Sequence, residues 1–241
     1  MKHIASITTL TLVAASAFAD AAPAAPAAPA AAPASAWSQS ANIALTSNYV
    51  WRGVSQTGNK MAVQGGFDVA HSSGLSAGVW ASNIQQYNAS TDAILDANLE
   101  LDLYVNYGFK VSDVNLSVGY IAYVYQGTTG YNFGEVNVAA SYAGLTAKVS
   151  KEVSNSVSGS GYTDHGYYYE LGYVYSIPAI KGLDLSLHYG WKDSSGSNST
   201  LDDYSVGLSY PVAGLVASLV YSNGDDDTID GLTAFTLKKT F

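Results

Sequence analysis

Twelve stretches of alternating polar and apolar residues, joined by connections that alternate between short and long, predict an all-β protein. The expected fold is a membrane-spanning, up-and-down antiparallel β-barrel. The predicted strands cover residues 40–52, 61–71, 75–85, 96–109, 114–125, 133–142, 145–153, 167–177, 183–191, 203–211, 215–223 and 231–241. No apolar run reaches the roughly 18 residues that indicate a transmembrane helix.

The stretch ANLELDLYVNYGF at residues 97–109 shows the alternation most clearly. Successive strand side chains point to opposite faces, so its apolar residues share one face and most of its polar residues share the other. In a soluble sheet the apolar face packs inward, whereas in a membrane barrel it meets lipid. Alternation alone does not distinguish the two arrangements.

The lengths of the connections favour the membrane barrel. Connections after even-numbered strands are short, such as AG at 143–144, whereas the others are longer, such as SNSVSGSGYTDHG at 154–166. Outer-membrane barrels have short periplasmic turns and longer extracellular loops. We therefore expect Leu101 and Leu103 to face lipid and Asp102 to face the interior.

Two segments precede the predicted barrel, which covers residues 40–241. Residues 1–19 form a predicted signal peptide, because a lysine precedes a short apolar stretch and Ala17 and Ala19 make an A-x-A cleavage pattern. Residues 20–39 form an Ala/Pro-rich linker, expected in the periplasm, whose prolines disfavour regular structure. The expected location is the outer membrane of a Gram-negative bacterium.

The composition excludes several classes of protein. Asp, Glu, Lys and Arg make up 12% of the chain, against about 25% in soluble domains. Because the chain contains no cysteine, it has neither a disulfide scaffold nor a thiolate metal site. The 19 acidic residues exceed the 10 basic ones, which argues against nucleic acid as a partner.

The end of the chain indicates how the barrel is assembled. Phe241 lies on the same face of the last strand as Phe235 and Leu237, and a terminal aromatic residue resembles the signal read by the outer-membrane insertion machinery. Lys239 departs from this pattern, although near the membrane interface its amine can snorkel into water. Aromatic residues near the strand ends are typical of interfacial girdles. Expected partners are this machinery, outer-membrane lipid and lipopolysaccharide.

The segment TSNYVWRGVSQTGNKMAVQGGFDVAHSSGLSAGVWASN, residues 46–83, resembles the TorF family of porins. The segments ELDLYVNYGF, NFGEVNVAASYAGLTAKVS and YYELGYVY and the terminal phenylalanine extend the resemblance over about residues 40–241. The resemblance implies an outer-membrane barrel that acts as a porin. It does not imply a particular substrate.

The polar faces of the strands predict the lining of the lumen. The ionisable residues expected there are Arg52, Asp68, Glu100, Asp102, Glu135, Lys148, Glu152, Glu170, Asp184, His188 and Lys238. Because acids outnumber fixed bases, we expect a porin-like channel with a weak preference for cations, which passes small hydrophilic solutes by passive diffusion. The alternative is a non-transporting structural or interaction barrel whose interior groups pair and fill the lumen.

Arg52 has two roles open to it near the extracellular end of the first predicted strand. As a pore residue it opposes a wall of carboxylates. As a structural residue it pairs with an acid such as Glu100, because buried guanidinium groups favour bidentate carboxylate partners. Tyr123 and Tyr125 are expected to point inward and either narrow the mouth or cap the wall.

No motif predicts an enzyme, a metal or a cofactor. His71, His165 and His188 lack the serine and acid at hydrogen-bond range that a hydrolase needs, so a lipid-modifying enzyme is the least favoured alternative. The segment NGDDDTIDG at 223–231 is acidic, and a solvated loop is the favoured interpretation. Divalent cations bridging this loop to lipopolysaccharide are the alternative.

Overall fold

Twelve antiparallel strands close into one barrel in the computed structural model, which describes residues 36–85, 87–88, 93–94, 97–127, 132–155, 166–193, 201–224 and 231–241. The strands are β1 Trp37–Thr46, β2 Ala62–His71, β3 Leu75–Asn83, β4 Leu99–Val111, β5 Val114–Gln126, β6 Phe133–Tyr142, β7 Leu145–Asn155, β8 Tyr167–Ser176, β9 Asp184–Asp193, β10 Leu201–Val212, β11 Leu215–Gly224 and β12 Leu232–Thr240. Each pairs with its neighbours in the chain, so the predicted fold class is confirmed. Within the described residues, no helix is long and apolar enough to cross a membrane.

The barrel closes between its first and last strands. In the β1–β12 ladder, Leu45 lies opposite Leu237. Backbone hydrogen bonds continue this ladder to the end of the chain, where Phe241 N donates to Ala41 O at 2.8 Å. Because β1 also pairs with β2, none of the described barrel strands leaves the unpaired edge that hydrocarbon surroundings would penalise.

Side chains on the barrel wall alternate between the outside and the lumen, as predicted. In β4, Leu103 and Val105 are 47% and 43% exposed, whereas Glu100 and Asp102 are 2% and 0% exposed. The other strands present similar apolar residues to the outside, among them Ile43, Val63, Val138, Leu171, Leu208 and Leu219. The outer surface is thus apolar, and the polar side chains lie inside.

At one end of the barrel, the strands are connected by short turns. Ala143 and Gly144 alone connect β6 to β7, and both have positive φ, at 48° and 85°. Positive φ at both positions gives the turn a twist that matches the flanking strands. A Cβ atom at Gly144 would lie 2.4 Å from Val174 O, so only glycine fits there without a backbone shift. This end is the short-turn end, and the opposite end is the long-loop end.

The first observed strand differs from the predicted one at both ends. β1 begins at Trp37, within the predicted linker, and ends at Thr46 rather than at residue 52. After Thr46 the alternation breaks, because Ser47 and Asn48 are both polar and the next three residues, 49–51, are all apolar; this local signal marks the end of the strand, and the predicted bound at residue 52 missed it. Residues 47–61, named the inward segment, leave the wall and place side chains in the lumen.

A short hairpin forms the tip of the inward segment. Trp51 pairs with Val54 across a turn in which Arg52 and Gly53 have φ values of 48° and 76°. Asn48 Oδ1 accepts hydrogen bonds from Ser55 Oγ at 2.6 Å and from Thr57 Oγ1 at 3.1 Å. These bonds hold the base of the hairpin, so the segment has a defined structure of its own.

Candidate functional site in the barrel lumen

The structure places the predicted ionisable residues on the inner side of the barrel. The inward faces of the strands carry Asp68, Glu100, Asp102, Glu135, Lys148, Glu152, Glu170, Asp184, His188 and Lys238. Arg52 also lies in the lumen, although on the inward segment rather than on β1. Asp203 of β10, which is 5% exposed, is a further inward carboxylate that was not predicted. The alternation of DYSVGLS could have identified it, since it shares a face with Ser205.

Arg52 crosses the lumen and pairs with Glu135 of β6. Its Nη1 and Nη2 atoms donate hydrogen bonds to Glu135 Oε1 and Oε2, both at 2.8 Å, in the bidentate geometry that guanidinium and carboxylate groups share. The prediction of an acid partner was right, but Glu100 was the wrong acid, because the hairpin directs Arg52 toward β6.

Aromatic rings enclose the Arg52 guanidinium on two sides. Its Cζ atom lies 3.8 Å from the ring centroid of Tyr168 on β8 and 4.3 Å from that of Trp51. Trp51 itself packs against Tyr123 and Phe133, with centroids 5.7 and 6.2 Å away. The tip of the inward segment is therefore held to the wall by an ion pair, a cation–π contact and aromatic packing.

A second contact ties the inward segment to a nearby part of the wall, on β4. Tyr49 Oη donates a hydrogen bond to Glu100 Oε1 at 2.8 Å. The Tyr49 ring packs edge-on against Trp80 of β3, with centroids 5.4 Å apart. Together with the Arg52–Glu135 pair, this contact means that the segment, which connects β1 to β2, crosses the lumen and is held against the wall formed by β4 to β6.

Asp102 is a buried carboxylate without a hydrogen-bond partner. It is 0% exposed, and no donor among the described residues reaches either carboxylate oxygen. Its cross-strand neighbours Trp80 and Tyr123 flank it with aromatic rings. Glu100 and Glu135 lie within electrostatic range of it, and these three carboxylates are named the acidic cluster. Burying such a group costs free energy, so the structure offers no stabilising reason for Asp102.

The wall formed by β7 to β10 pairs its charged groups more completely. Lys148 Nζ lies 2.7 Å from Glu170 Oε2. Asp203 lies 2.7 Å from His188 Nε2 and accepts a hydrogen bond from Tyr168 Oη at 2.5 Å. His188 thus has Asp203, rather than the more distant Asp184, as its carboxylate partner. The lumen is therefore asymmetric, with paired charges on this side and the acidic cluster between β4 and β6.

Aromatic side chains pack the lumen at the long-loop end. Tyr123 stacks on Phe133 with ring centroids 4.3 Å apart, and Tyr123 and Tyr125 are each 6% exposed, which confirms that both point inward. Tyr49 and Trp51 of the inward segment pack on the same buried cluster. Within the described residues this end is thus filled by side chains, as in the alternative arrangement weighed from the sequence.

A cavity of about 330 Å³ lies beside the inward segment. Its lining consists of Thr57, Lys60, Met61, Asn83, Ile84, Gln85, Ala97 and Asn98. Lys60 supplies the charge in this lining, and the remaining residues are neutral.

Of the other residues singled out from the sequence, only some can be placed. His71 Nδ1 lies 2.8 Å from Ser73 Oγ at an exposed short turn. In the part of the chain that the structure describes, no group of three or more His, Cys, Asp or Glu residues could hold a metal ion. His165 and the aspartates of the acidic loop at 225–230 lie outside the described residues.

The closed barrel of twelve strands, with its apolar outside and polar lumen, has the architecture of outer-membrane β-barrel proteins. Residues 30–241 match the model of a family described as "Bacterial protein of unknown function (Gcw_chp)", and the chain belongs to this family. This match does not confirm the resemblance to the TorF family. No curated protein matches the chain in sequence.

Solved structures share the fold at low sequence identity. The KdgM porin superposes with a TM-score of 0.53 at 10% identity, covering 84% of this chain and 98% of that one. A structure from work on the in-meso crystallization of membrane proteins gives 0.52 at 14% identity, covering 84% and 83%. Outer membrane phospholipase A from Escherichia coli gives 0.46 at 13% identity, covering 83% and 91%, which is too low a score to support an argument. The first two similarities show the fold alone.

Proposed function

We propose that the chain is an outer-membrane channel of the TorF type for passive diffusion of small hydrophilic solutes, with a weak preference for cations. The observation that carries this proposal is the charge of the lumen. Among the described residues on the inward faces, eight carboxylates outnumber five fixed positive charges, those of Arg52, Lys110, Lys148, Lys192 and Lys238; the carboxylates are Asp68, Glu100, Asp102, Glu135, Glu152, Glu170, Asp184 and Asp203. Fixed negative charge on a low-dielectric wall raises the local concentration of cations.

The uneven pairing of these carboxylates supports the same preference. Asp68 accepts a hydrogen bond from Tyr104 Oη at 2.5 Å, and Glu100 accepts one from Tyr49. Neither these two carboxylates nor Asp102 forms an ion pair within the described residues. The β2–β4 side of the lumen therefore carries carboxyl groups that no side-chain cation pairs with, and mobile cations are the natural counter-charge when these groups are ionised.

Conduction in this proposal depends on the inward segment. Tyr49, Trp51 and Arg52 lie across the lumen and pack against its walls. Tyr49 and Trp51 pack in the buried aromatic cluster at the long-loop end, where a hydrated ion or a small solute would have to pass. We therefore propose that the channel conducts when this segment moves away from Glu100 and Glu135.

Ion selectivity in planar bilayers tests the proposal. A potassium chloride gradient across a bilayer with the refolded protein should give a reversal potential on the cation-selective side, weakening as salt shortens the screening length below about 8–10 Å. The double variant Glu100→Gln/Asp102→Asn should reduce this preference. Asp113→Asn, which removes a carboxylate from an exposed short turn, should leave it unchanged. Selectivity for anions in the unmodified protein would overturn the charge argument.

A second candidate function is a non-transporting structural or interaction barrel, favoured by the aromatic packing at the long-loop end. The two candidates differ in one measurable respect. A variant in which glycines replace Tyr49, Trp51 and Arg52 should open as a channel if the inward segment closes a pore. If neither this variant nor the unmodified protein conducts, the structural role is the better account.

The location and partners of the chain belong to the same proposal. We propose that residues 1–19 direct export, that the linker at 20–36 lies in the periplasm, and that the insertion machinery, outer-membrane lipid and lipopolysaccharide are its partners. Passive diffusion requires neither bond-breaking chemistry nor a cofactor. Fractionation of the envelope of a Gram-negative host tests the location, because the chain should sediment with outer-membrane rather than inner-membrane markers.

A further inference from the structure

We infer that the lumen contains a binding site for a small guanidinium-bearing solute, formed by Glu135 and Tyr168 with the buried carboxylate of Asp102 within electrostatic range of Glu135, and that Arg52 occupies this site as a tethered substitute. The inference rests on the proposed channel function in one respect, namely that solutes reach the lumen. It adds a class of ligand and the residues that would recognise it.

The barrel wall supplies the recognising groups. Glu135 and Tyr168, on β6 and β8, are 5% and 3% exposed, so both are fixed by the packing around them. Glu135 presents both carboxylate oxygens to the guanidinium at 2.8 Å, while the Tyr168 ring covers one face of it at 3.8 Å. A carboxylate fork beside an aromatic face is the pairing that a flat, weakly hydrated guanidinium satisfies better than a compact ammonium does.

Asp102 is the independent observation that points to a ligand. Its carboxylate is fully buried, has no hydrogen-bond partner among the described residues, and lies within electrostatic range of Glu135. With Arg52 in place, the acidic cluster holds three carboxylates and one guanidinium. An added cation would therefore find both a counter-charge and unsatisfied acceptor atoms, with Trp80 and Tyr123 as the aromatic sides of the site.

Arg52 reaches the site from a segment that is separate from the wall. It stands at the turn of the hairpin with a φ of 48°, a left-handed conformation that is costly for a residue with a side chain. Trp51, from the same hairpin, supplies the second ring against the guanidinium at 4.3 Å. When the inward segment leaves, Glu135 and Tyr168 remain on the wall, and a free guanidinium can take the same contacts.

The test is rescue of Arg52→Ala by methylguanidinium, measured as the urea midpoint for unfolding of the refolded protein in lipid vesicles. A ligand that binds only the folded state raises this midpoint as its concentration rises. We expect a saturating upward shift in Arg52→Ala at millimolar methylguanidinium. The shift should be at least several-fold smaller in Arg52→Ala/Glu135→Gln and in Arg52→Ala/Asp102→Asn.

Matched controls separate binding at this site from general effects of the solute. Lys60→Ala removes an exposed cation of the same inward segment and should respond as the unmodified protein does. N-methylurea, a neutral molecule of similar shape, should give no shift in Arg52→Ala. If Arg52→Ala does not refold, Arg52→Met, which keeps the aliphatic stem between the rings, takes its place.

Two results would overturn the inference. One is an equal shift by methylguanidinium with and without Glu135, and the other is an equal shift by N-methylurea. Because unfolding midpoints require no ion flow, a barrel that binds methylguanidinium but never conducts would refute the channel and leave the site in place. A barrel that conducts ions but does not bind methylguanidinium would refute the binding site and leave the proposed channel function in place.

Discussion

Two adjacent substitutions in β4 should change stability in opposite directions. Leu103 points outward and is 47% exposed, whereas Asp102 points into the lumen and is 0% exposed. Leu103→Arg places a charge in lipid, and Asp102→Asn removes a buried carboxylate that has no hydrogen-bond donor. If the outward face meets hydrocarbon, the first substitution destabilises the barrel and the second does not.

The free-energy cost of Leu103→Arg depends on how deep Leu103 lies in the bilayer. It lies two residues from the centre of β4, a strand of 13 residues. With a rise of about 3.3 Å per residue and a tilt of about 40°, it sits roughly 5 Å from the bilayer midplane. Arginine costs about 2–4 kcal/mol at the midplane and about 0–1 near the interface. We therefore expect a loss of about 2–3 kcal/mol.

The change in stability caused by Asp102→Asn depends on the surroundings of the Asp102 carboxylate. An unsatisfied buried polar group costs about 1–3 kcal/mol, and more when charged. Asparagine has nearly the same shape, so Asp102→Asn removes the repulsion from Glu100 and Glu135 without creating a cavity. We expect the variant to gain up to about 1 kcal/mol at neutral pH, because the amide that replaces the carboxylate is itself a buried polar group.

Reversible unfolding in urea, with the protein in lipid vesicles, measures both free energies. Equal losses for the two variants would refute the assignment of the faces. A loss above about 1 kcal/mol for Asp102→Asn alone would mean that the carboxylate has a stabilising partner, and the argument from its missing donor would fail.

Three further outcomes follow from the geometry. Deleting Phe241 should lower the fraction of heat-modifiable barrel in outer-membrane preparations while leaving conductance per channel unchanged; normal membrane levels would contradict its role in assembly. Gly144→Ala should cost at least about 1–2 kcal/mol because φ is positive and a Cβ atom would lie 2.4 Å from a carbonyl oxygen. Gly108→Ala, where the nearest atom is 3.8 Å away, is its control. Tyr168→Phe should cost about 1–2 kcal/mol by removing the hydrogen bond from Tyr168 Oη to Asp203 Oδ1, and urea midpoints within error of the unmodified protein would contradict that bond.

Much of the barrel could be predicted because its pattern is local. Strand side chains alternate with a period of two, so the sequence around Glu100 and Leu103 already separates the lumen face from the outer face. The lengths of the connections also allowed the number of strands and their antiparallel direction to be predicted, since turns such as Ala143–Gly144 are too short to join strands in any way other than a hairpin. In the structure Glu135, Glu170 and His188 lie on the inner face of the barrel, the face on which the alternation puts them.

The same period explains why the partners could not be predicted. Shifting a strand by two residues keeps every side chain on its face but changes every neighbour across the sheet. Arg52 and Glu135 are 83 positions apart in the chain, and His188 meets Asp203 rather than Asp184. Which lumen groups meet therefore depends on the register and on the closure of the whole barrel.

The sequence by itself determined the strands of the barrel, its inner and outer faces and the acidic character of its lumen, because each of these depends on residues close together in the chain. Only the tertiary structure revealed that the inward segment crosses the lumen and that Asp102 is buried without a donor. The alternation breaks at residues 46–51, but this break does not by itself show whether the chain continues along the wall or turns into the lumen. The hairpin lies in the lumen because the walls of the closed barrel supply the carboxylates and aromatic rings that hold it there.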